Sequence, residues 1–191
     1  MAALNNTNIT RINFTGNIAL EEPLVIRHRV QLDLNKFTLS LNSEKFQGGA
    51  LVDVIDVVND GVSFYFDNGV VDFTGYTGKM NGCIRTSGYG VQLYMADIDI
   101  LLGNNFGPAI RMDDDRLQIE SGYKIPTITA PVAIYHESKS LSVDFHSTVK
   151  ANINGAVELG SSVGGLNTTF EFVKGNINGP LNIGEGVSDD V

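Results

Sequence analysis

Three aspartates lie in two short segments whose spacing would suit acid–base chemistry. Asp72 lies in Val71-Asp-Phe73, and Asp97 and Asp99 lie two residues apart about one repeat later. If the two segments are neighbouring strands, carboxylates one strand apart can share a proton, act as acid and base, or hold a cation. Glycoside hydrolysis needs two carboxyl groups about 5 to 9.5 Å apart, which such strands permit. Asp72, Asp97 and Asp99 are therefore the predicted catalytic set if the protein is an enzyme, and solvated surface side chains if it is not.

Two tyrosines and several carboxylates are predicted to form one outward column of a sheet. The column reads Asp33, Tyr65, Tyr94, Glu120, Asp144 and Glu171, one residue from each of six similar segments. Aromatic faces pack on sugar C–H groups and carboxylates accept hydrogen bonds from sugar hydroxyls, so Tyr65, Tyr94 and Glu120 are predicted ligand-binding residues. The alternative is that the aromatic pair only stabilises neighbouring strands.

A second predicted column contains two arginines on successive repeats. It reads Asp53, Arg85, Arg111, Tyr135, Glu158 and Asn182. Two stacked guanidinium groups are unfavourable unless carboxylates or an anionic ligand compensate them. Arg85 and Arg111 are therefore predicted to bind an anion such as an acidic saccharide, with a surface ion-pair ladder as the alternative.

No metal or cofactor is predicted. His28, His136 and His146 show no HxH or HExxH spacing, and Asp113-Asp-Asp115 lacks the glycine and the distant glutamate of a calcium loop. Cys83, the single cysteine, has no evident relay residue and is predicted to be a packing residue.

The elements that would position these residues recur along the chain. Three kinds of short segment alternate apolar and polar residues, and the first kind starts again every 24 to 32 residues. Its six copies begin at Val30, Val62, Val91, Leu117, Leu141 and Thr168. Alternation of period two predicts strands, and no window has the spacing of an amphipathic helix.

Stacking of these repeats predicts an all-β, single-stranded parallel β-helix of six to seven coils with three short strands per coil. Each strand would pair with its counterpart one repeat later, because three short strands cannot bury an apolar face alone. The predicted domain is 10–184, with an N-terminal cap or arm at 1–9 and a flexible tail at 185–191. An antiparallel sandwich or barrel is the competing fold.

Composition narrows the classes of partner. The chain has 22 Asp and Glu against 13 Lys and Arg, for a net charge of −9, which disfavours nucleic acid. Neither a signal peptide nor a long apolar run occurs in the given sequence, so the expectation is synthesis in a cytoplasm without membrane insertion.

The coil pattern, with Asn or Gly at corners such as Asn35, Asn68 and Asn154-Gly155, resembles the pectin-lyase-like superfamily over about residues 10–184. This superfamily includes pectate lyases, polygalacturonases and bacteriophage tailspikes. The resemblance implies a right-handed coil, and it is strongest for the β-helical modules of tailspikes and virion appendages. It implies nothing about a particular activity.

The resulting expectation is a non-enzymatic structural or carbohydrate-contact module of a phage tail or capsid appendage, made in the host cytoplasm and carried in the virion. Its partners would be other virion proteins, a polysaccharide, and further copies of the chain, with a homotrimer favoured. The alternative is a glycoside hydrolase or polysaccharide lyase, that is, a depolymerase acting along one face. Ice binding is disfavoured because no column repeats threonine.

Overall fold

A computed structural model describes residues 6–42, 46, 50–55, 61–78, 80–87, 90–113, 116–138, 145–161 and 168–184. The described part of the chain is all-β, as predicted, and it contains no helix that could span a membrane. Its strands are β1 (Arg11–Asn13), β2 (Ile18–Leu20), β3 (Leu24–Ile26), β4 (Val30–Asp33), β5 (Thr38–Leu41), β6 (Ala50–Ile55), β7 (Ser63–Phe73), β8 (Gly82–Ser87), β9 (Gln92–Leu102), β10 (Ile110–Asp113), β11 (Arg116–Glu120), β12 (Thr127–Ser138), β13 (Phe145–Ser161), β14 (Thr168–Ile177) and β15 (Leu181–Ile183).

Every named strand pair among these residues is parallel, and the pairs form three ladders. The first ladder joins β1, β4, β7, β9, β11, β13 and β14 in that order. The second joins β2, β5, β7, β9, β12, β13 and β14. The third joins β3, β6, β8, β10, β12, β13 and β15.

Long strands belong to more than one ladder. Residues Gln92 to Ala96 of β9 pair with β11, while Ile100 and Leu101 pair with β12. Because β13 also pairs with both β11 and β12, these four strands close into a ring of parallel pairings. The ladders therefore share one set of strands and enclose one core.

The core is a single cluster of inward side chains. Buried and outward residues alternate strictly along β4 and along most of β7 and β9. Phe64 and Phe66 are fully buried and stack with ring centroids 5.6 Å apart. Phe73 and Phe106, which lie in successive repeats, also stack with ring centroids 5.9 Å apart, so apolar contact between repeats contributes to stability.

Left-handed backbone conformations mark the corner between the first and second ladders. Asn35, Lys36, Asn68 and Asp97 have φ between 50° and 68°. Asn and Asp tolerate this region better than most residues. The amide of Lys36 donates to the carbonyl of Asn68 at 2.7 Å, so these corners stack on one another from repeat to repeat.

Candidate functional site

The two tyrosines of the first ladder lie side by side, as predicted. Tyr65 pairs with Tyr94, and their rings stack with centroids 4.7 Å apart and planes 7° apart. The Arg29 guanidinium lies 5.5 Å from the Tyr65 centroid, and the Tyr94 hydroxyl donates to Gln92 Oε1 at 2.9 Å. The ring contacts bind strands to one another, and the ligand-binding role of both tyrosines stays a prediction.

The rest of the predicted first column is in a different register. Gln31, and not Asp33, pairs with Tyr65, while Asp33 pairs with Asp67. A slip of two residues keeps every side chain on its own face of the sheet, so alternation alone does not reveal it.

Further along the first ladder, Glu120 pairs with Ala96 and Gln118 takes the place beside Tyr94. Glu171 pairs with Thr148. The predicted position of Asp144 lies outside the described residues.

Glu120 is held in a polar cluster of its own. Its carboxylate accepts hydrogen bonds from Lys150 Nζ at 2.6 Å and from Gln118 Nε2 at 3.0 Å. The Lys150 bond is the main reason that the pKa of Glu120 lies below its usual value. Glu120 is therefore ionised and paired near neutral pH, and its contact with a ligand stays a prediction.

The second-ladder aspartates do not converge as predicted. Asp72 pairs with Leu101 and Asp99 with Val70, so their predicted matching positions are wrong by two residues. Asp72 accepts hydrogen bonds from the amide and the hydroxyl of Thr74. Both bonds belong to a local turn.

Asp97 and Asp99 both contact the loop 121–126 instead. Asp99 accepts bonds from Lys124 Nζ at 2.6 Å and from the Thr127 amide at 2.9 Å. The catalytic role of Asp72, Asp97 and Asp99 stays a prediction.

Asp97 binds three consecutive backbone amides of this loop. Its Oδ1 accepts the amides of Gly122, Tyr123 and Lys124 at 2.8 to 3.0 Å, and the residue is only 8% exposed. Burial raises the pKa of Asp97, but the bonds from these three amides outweigh burial and hold the pKa below its usual value. A Cβ on Gly122 would lie 2.5 Å from Asp97 Oδ2, so glycine lets the loop approach the carboxylate.

The anchored loop forms one wall of a groove at the stacked corners. This corner groove has a volume of about 620 Å³ and is lined by Lys36, Asn68, Gly69, Val70, Asp97, Tyr123 and Lys124. Tyr123 is 98% exposed, although the amides on either side of it and its own are bound to Asp97. The groove thus combines an exposed aromatic ring on a fixed backbone, an apolar lining at Gly69 and Val70, and side-chain donors at Lys36 and Asn68, where one hydrogen of the Asn68 amide already bonds to Asp33 Oδ1 at 3.3 Å.

Sequence reasoning missed Tyr123 because it lies between strands, where alternation carries no information. The available signal was an aromatic residue inside the polar segment Glu120-Ser-Gly-Tyr-Lys124, just before Pro126. A bulky aromatic residue in a polar turn is a candidate contact residue.

Asp67 is a second residue that sequence reasoning missed. It lies between two other aspartates, Asp33 and Asp97, and accepts a bond from Gln31 Nε2 at 2.6 Å. Burial, followed by the charges of Asp33 and Asp97, raises its pKa despite the Gln31 bond. Asp67 and Asp97 thus have pKa values shifted in opposite directions, a pattern also found in acid–base pairs.

The third-ladder column is in the predicted register. Arg85 pairs with Asp53 and Arg111, and the column continues through Tyr135 to Glu158 and Asn182. The guanidinium of Arg111 lies 5.0 Å from the Tyr135 ring centroid.

The two arginines line a groove of about 590 Å³, here called the arginine groove. Its lining is Met80, Asn81, Arg85, Ser87, Gly107, Arg111 and Asp113. The ligand-binding role of Arg85 and Arg111 stays a prediction.

The remaining candidate ligands are dispersed. Cys83 is fully buried, which raises the pKa of its thiol. His28 Nε2 lies 3.2 Å from the Ile9 carbonyl oxygen, and His136 is buried. No group of three or more His, Cys, Asp or Glu side chains in the described ranges is arranged to hold a metal ion.

Comparison with other proteins identifies no relative. No family model, no curated protein sequence and no solved structure matches the chain.

Proposed function

We propose that this chain is a right-handed parallel β-helix module that contacts carbohydrate without cleaving it. The support for the fold is the set of three parallel ladders, each of which adds one strand per repeat. In this interpretation β9 and β13 are long because they continue around a corner of the coil. The right-handed turn and the likeness to pectin-lyase-like tailspike modules rest on the coil pattern.

The observation that carries the carbohydrate contact is Tyr123 in the corner groove. The ring is 98% exposed, and the backbone that carries it is fixed by three amide hydrogen bonds, so the position of the loop is set before a ligand arrives. Sugar C–H groups pack on such a ring, and Lys36 and Asn68 can donate to hydroxyl oxygens. Preorganisation of this kind lowers the entropic cost of binding.

The carboxylates near the site already form hydrogen bonds within the protein, which favours a binding function over catalysis. Asp97 and Asp99 bind the loop, and Glu120 binds Lys150. An acid or base in a hydrolase must instead reach the substrate oxygen or a water. We therefore assign these carboxylates a structural role, in which they hold the site together and do not react with a substrate.

A depolymerase is the second candidate, and Asp67 is the observation that favours it. A carboxyl with a raised pKa can donate a proton, and two further carboxyl groups, those of Asp33 and Asp97, lie near Asp67. A polysaccharide hydrolase or lyase on this face would release shorter products from the bound glycan.

The proposed context is a bacteriophage virion appendage. In it the module would pack against other virion proteins and against copies of itself, a homotrimer in the favoured case. Light scattering tests the assembly, since a trimeric mass supports it and a monomeric mass at all concentrations argues against it.

A glycan array read for retention and for released products tests the function. Wild type is expected to retain at least one glycan without cleaving it, and Tyr123→Ala to lose at least tenfold in affinity. Tyr65→Ala reports whether the first-ladder tyrosines take part, and Val173→Ala, which trims an exposed apolar residue on β14, is the control.

Either of two results overturns the carbohydrate contact: no glycan is retained, or Tyr123→Ala binds like wild type. Release of shorter glycans would show that the protein is a depolymerase and not a module that only binds. In that case Asp67→Asn, Asp72→Asn, Asp97→Asn and Asp99→Asn identify the acid and the base.

A further inference from the structure

We infer that the arginine groove is a binding site for an oxyanion, separate from the corner groove and independent of the carbohydrate contact proposed there. The ligand group is an oxyanion with a hydrogen-bond donor on it or beside it, as in hydrogen phosphate or a phosphorylated sugar. Four features of the groove support this inference.

The first feature is the register of the two arginines. Arg85 and Arg111 are directly paired on β8 and β10, so their backbones are about 4.8 Å apart and both side chains leave the same face. Like charges directly opposite each other destabilise a parallel pair. Asp53 is the other strand neighbour of Arg85 and Asp113 lines the groove, so the charge of the pair is partly compensated, and the guanidinium N–H donors that face the groove can together bind an oxyanion.

The second feature is that one guanidinium is held in place. Arg111 lies 5.0 Å from the centroid of the Tyr135 ring, and the Tyr135 hydroxyl donates to Glu137 Oε2 at 3.2 Å. Stacking on an aromatic ring leaves the edge of the guanidinium available for bidentate hydrogen bonds. Less side-chain entropy is then lost when the anion binds.

The third feature is the set of neutral groups around the arginines. Ser87 and Asn81 are the neutral polar residues of the lining. At Gly107 the chain passes so close to Asn81 that a Cβ would lie 2.6 Å from the Asn81 carbonyl oxygen. Gly107 therefore permits the close contact that shapes this end of the groove.

The fourth feature is a carboxylate in the same groove. Asp113 follows Arg111 by two residues on β10, and so it faces the same side of the strand. The Asp113 carboxylate repels an anion that has no hydrogen-bond donor. It can accept a hydrogen bond from a hydroxyl next to the anionic group. A phosphorylated sugar and hydrogen phosphate ions have this combination, whereas sulfate lacks the donor.

Side-chain NMR of the arginines tests the site in the folded protein. We expect inorganic phosphate to shift the Nε–Hε signals of Arg85 and Arg111 at millimolar concentration, with Arg27 and Arg116 unmoved at matched ionic strength. Sulfate is expected to bind more weakly than phosphate. Glucose 6-phosphate compared with glucose and with free phosphate shows whether the group is carried on a sugar or comes as the free ion.

Variants make the assignment specific. Arg85→Gln and Arg111→Gln are each expected to lower phosphate affinity at least fivefold, while Arg116→Gln, with the same loss of charge on β11, is expected to bind like wild type. The increase in melting temperature caused by phosphate should shrink in the same two variants. Equal shifts at all arginines, or unchanged affinity in both groove variants, would overturn the inference.

Discussion

At the scale of single residues, the most consequential contact is between Asp97 and the loop that follows β11. The backbone of Asp97 is in the left-handed conformation, and its carboxylate accepts hydrogen bonds from three successive amides of the next repeat. Hydrogen bonds to an ionised acceptor are roughly twice as strong as neutral ones. Asp97 therefore couples the conformation of a corner to the position of Tyr123.

Replacing Asp97 by asparagine should destabilise the protein by about 2 kcal/mol at pH 7, because the amide oxygen accepts these bonds less strongly. The folded-state pKa of Asp97 lies below the ordinary value of 3.8, so its stabilisation is present above that value. It is lost as the pH falls through the folded-state pKa. Urea unfolding of wild type and Asp97→Asn from pH 7 to pH 2 should show a difference that closes in acid.

Asp67→Asn is the matched control, since it makes the same change on the neighbouring strand. The raised pKa of Asp67 means that its ionisation opposes folding at neutral pH, so this variant should be at least as stable as wild type at pH 7. Its advantage should disappear as the pH falls to the unfolded value. If both variants lost stability in parallel at every pH, the assigned bonds would not explain the two shifts.

At the scale of elements, the repeat predicts which strands are neighbours but not always their register. The column through Arg85, Arg111 and Tyr135 was predicted correctly. Asp33 and Asp72 were placed two residues away from their true partners. A slip of two residues leaves inward and outward faces unchanged, so the hydrophobic pattern is equally satisfied and the corner geometry decides.

The candidate site was harder to predict than the strands. Tyr65 and Tyr94 stack because they share a strand position, which alternation reveals. Tyr123 and Gly122 lie in a loop whose position depends on a carboxylate 25 residues earlier in the chain. No local pattern contains that long-range contact.

Close approach of successive strands makes Gly175 a critical residue of β14. Its φ is +120°, and a Cβ there would overlap the carbonyl oxygen of Ala151 on β13. We expect Gly175→Ala to cost about 3 kcal/mol or more, because strain and overlap add. Urea unfolding at pH 7 measures the loss.

Gly160→Ala on β13 is the control for this prediction. A Cβ at Gly160 would meet no heavy atom within 4 Å, so little change is expected. Replacing glycine by alanine lowers the entropy of the unfolded chain and so favours folding, which means that equal losses in the two variants would come from a general cost of a methyl group in these strands and not from the contact with Ala151.

At the scale of the whole molecule, the two ends of the ladders differ. In the first repeat Leu20, Leu24 and Ile26 are buried. In the last, Leu181 and Ile183 on β15 are 45% and 48% exposed, although their partners Val157 and Leu159 are buried. Stability in a stacked structure is close to a sum over neighbouring repeats, so the strands at both ends, which have a partner on one side only, are weaker than the central ones, and β15 with its half-exposed apolar side chains is weaker than β3.

This asymmetry predicts a gradient of amide hydrogen exchange along the molecule. Amides of β7 and β9, which have a partner strand on both sides, should exchange slowest, while β15 and the second half of β14 should exchange through local opening at least 100-fold faster. Exchange followed by mass spectrometry of peptides, or by NMR, measures this directly. A uniform rate across all ladders would mean that the fold opens as one cooperative unit, and stacking of separable repeats would then be the wrong description of its energetics.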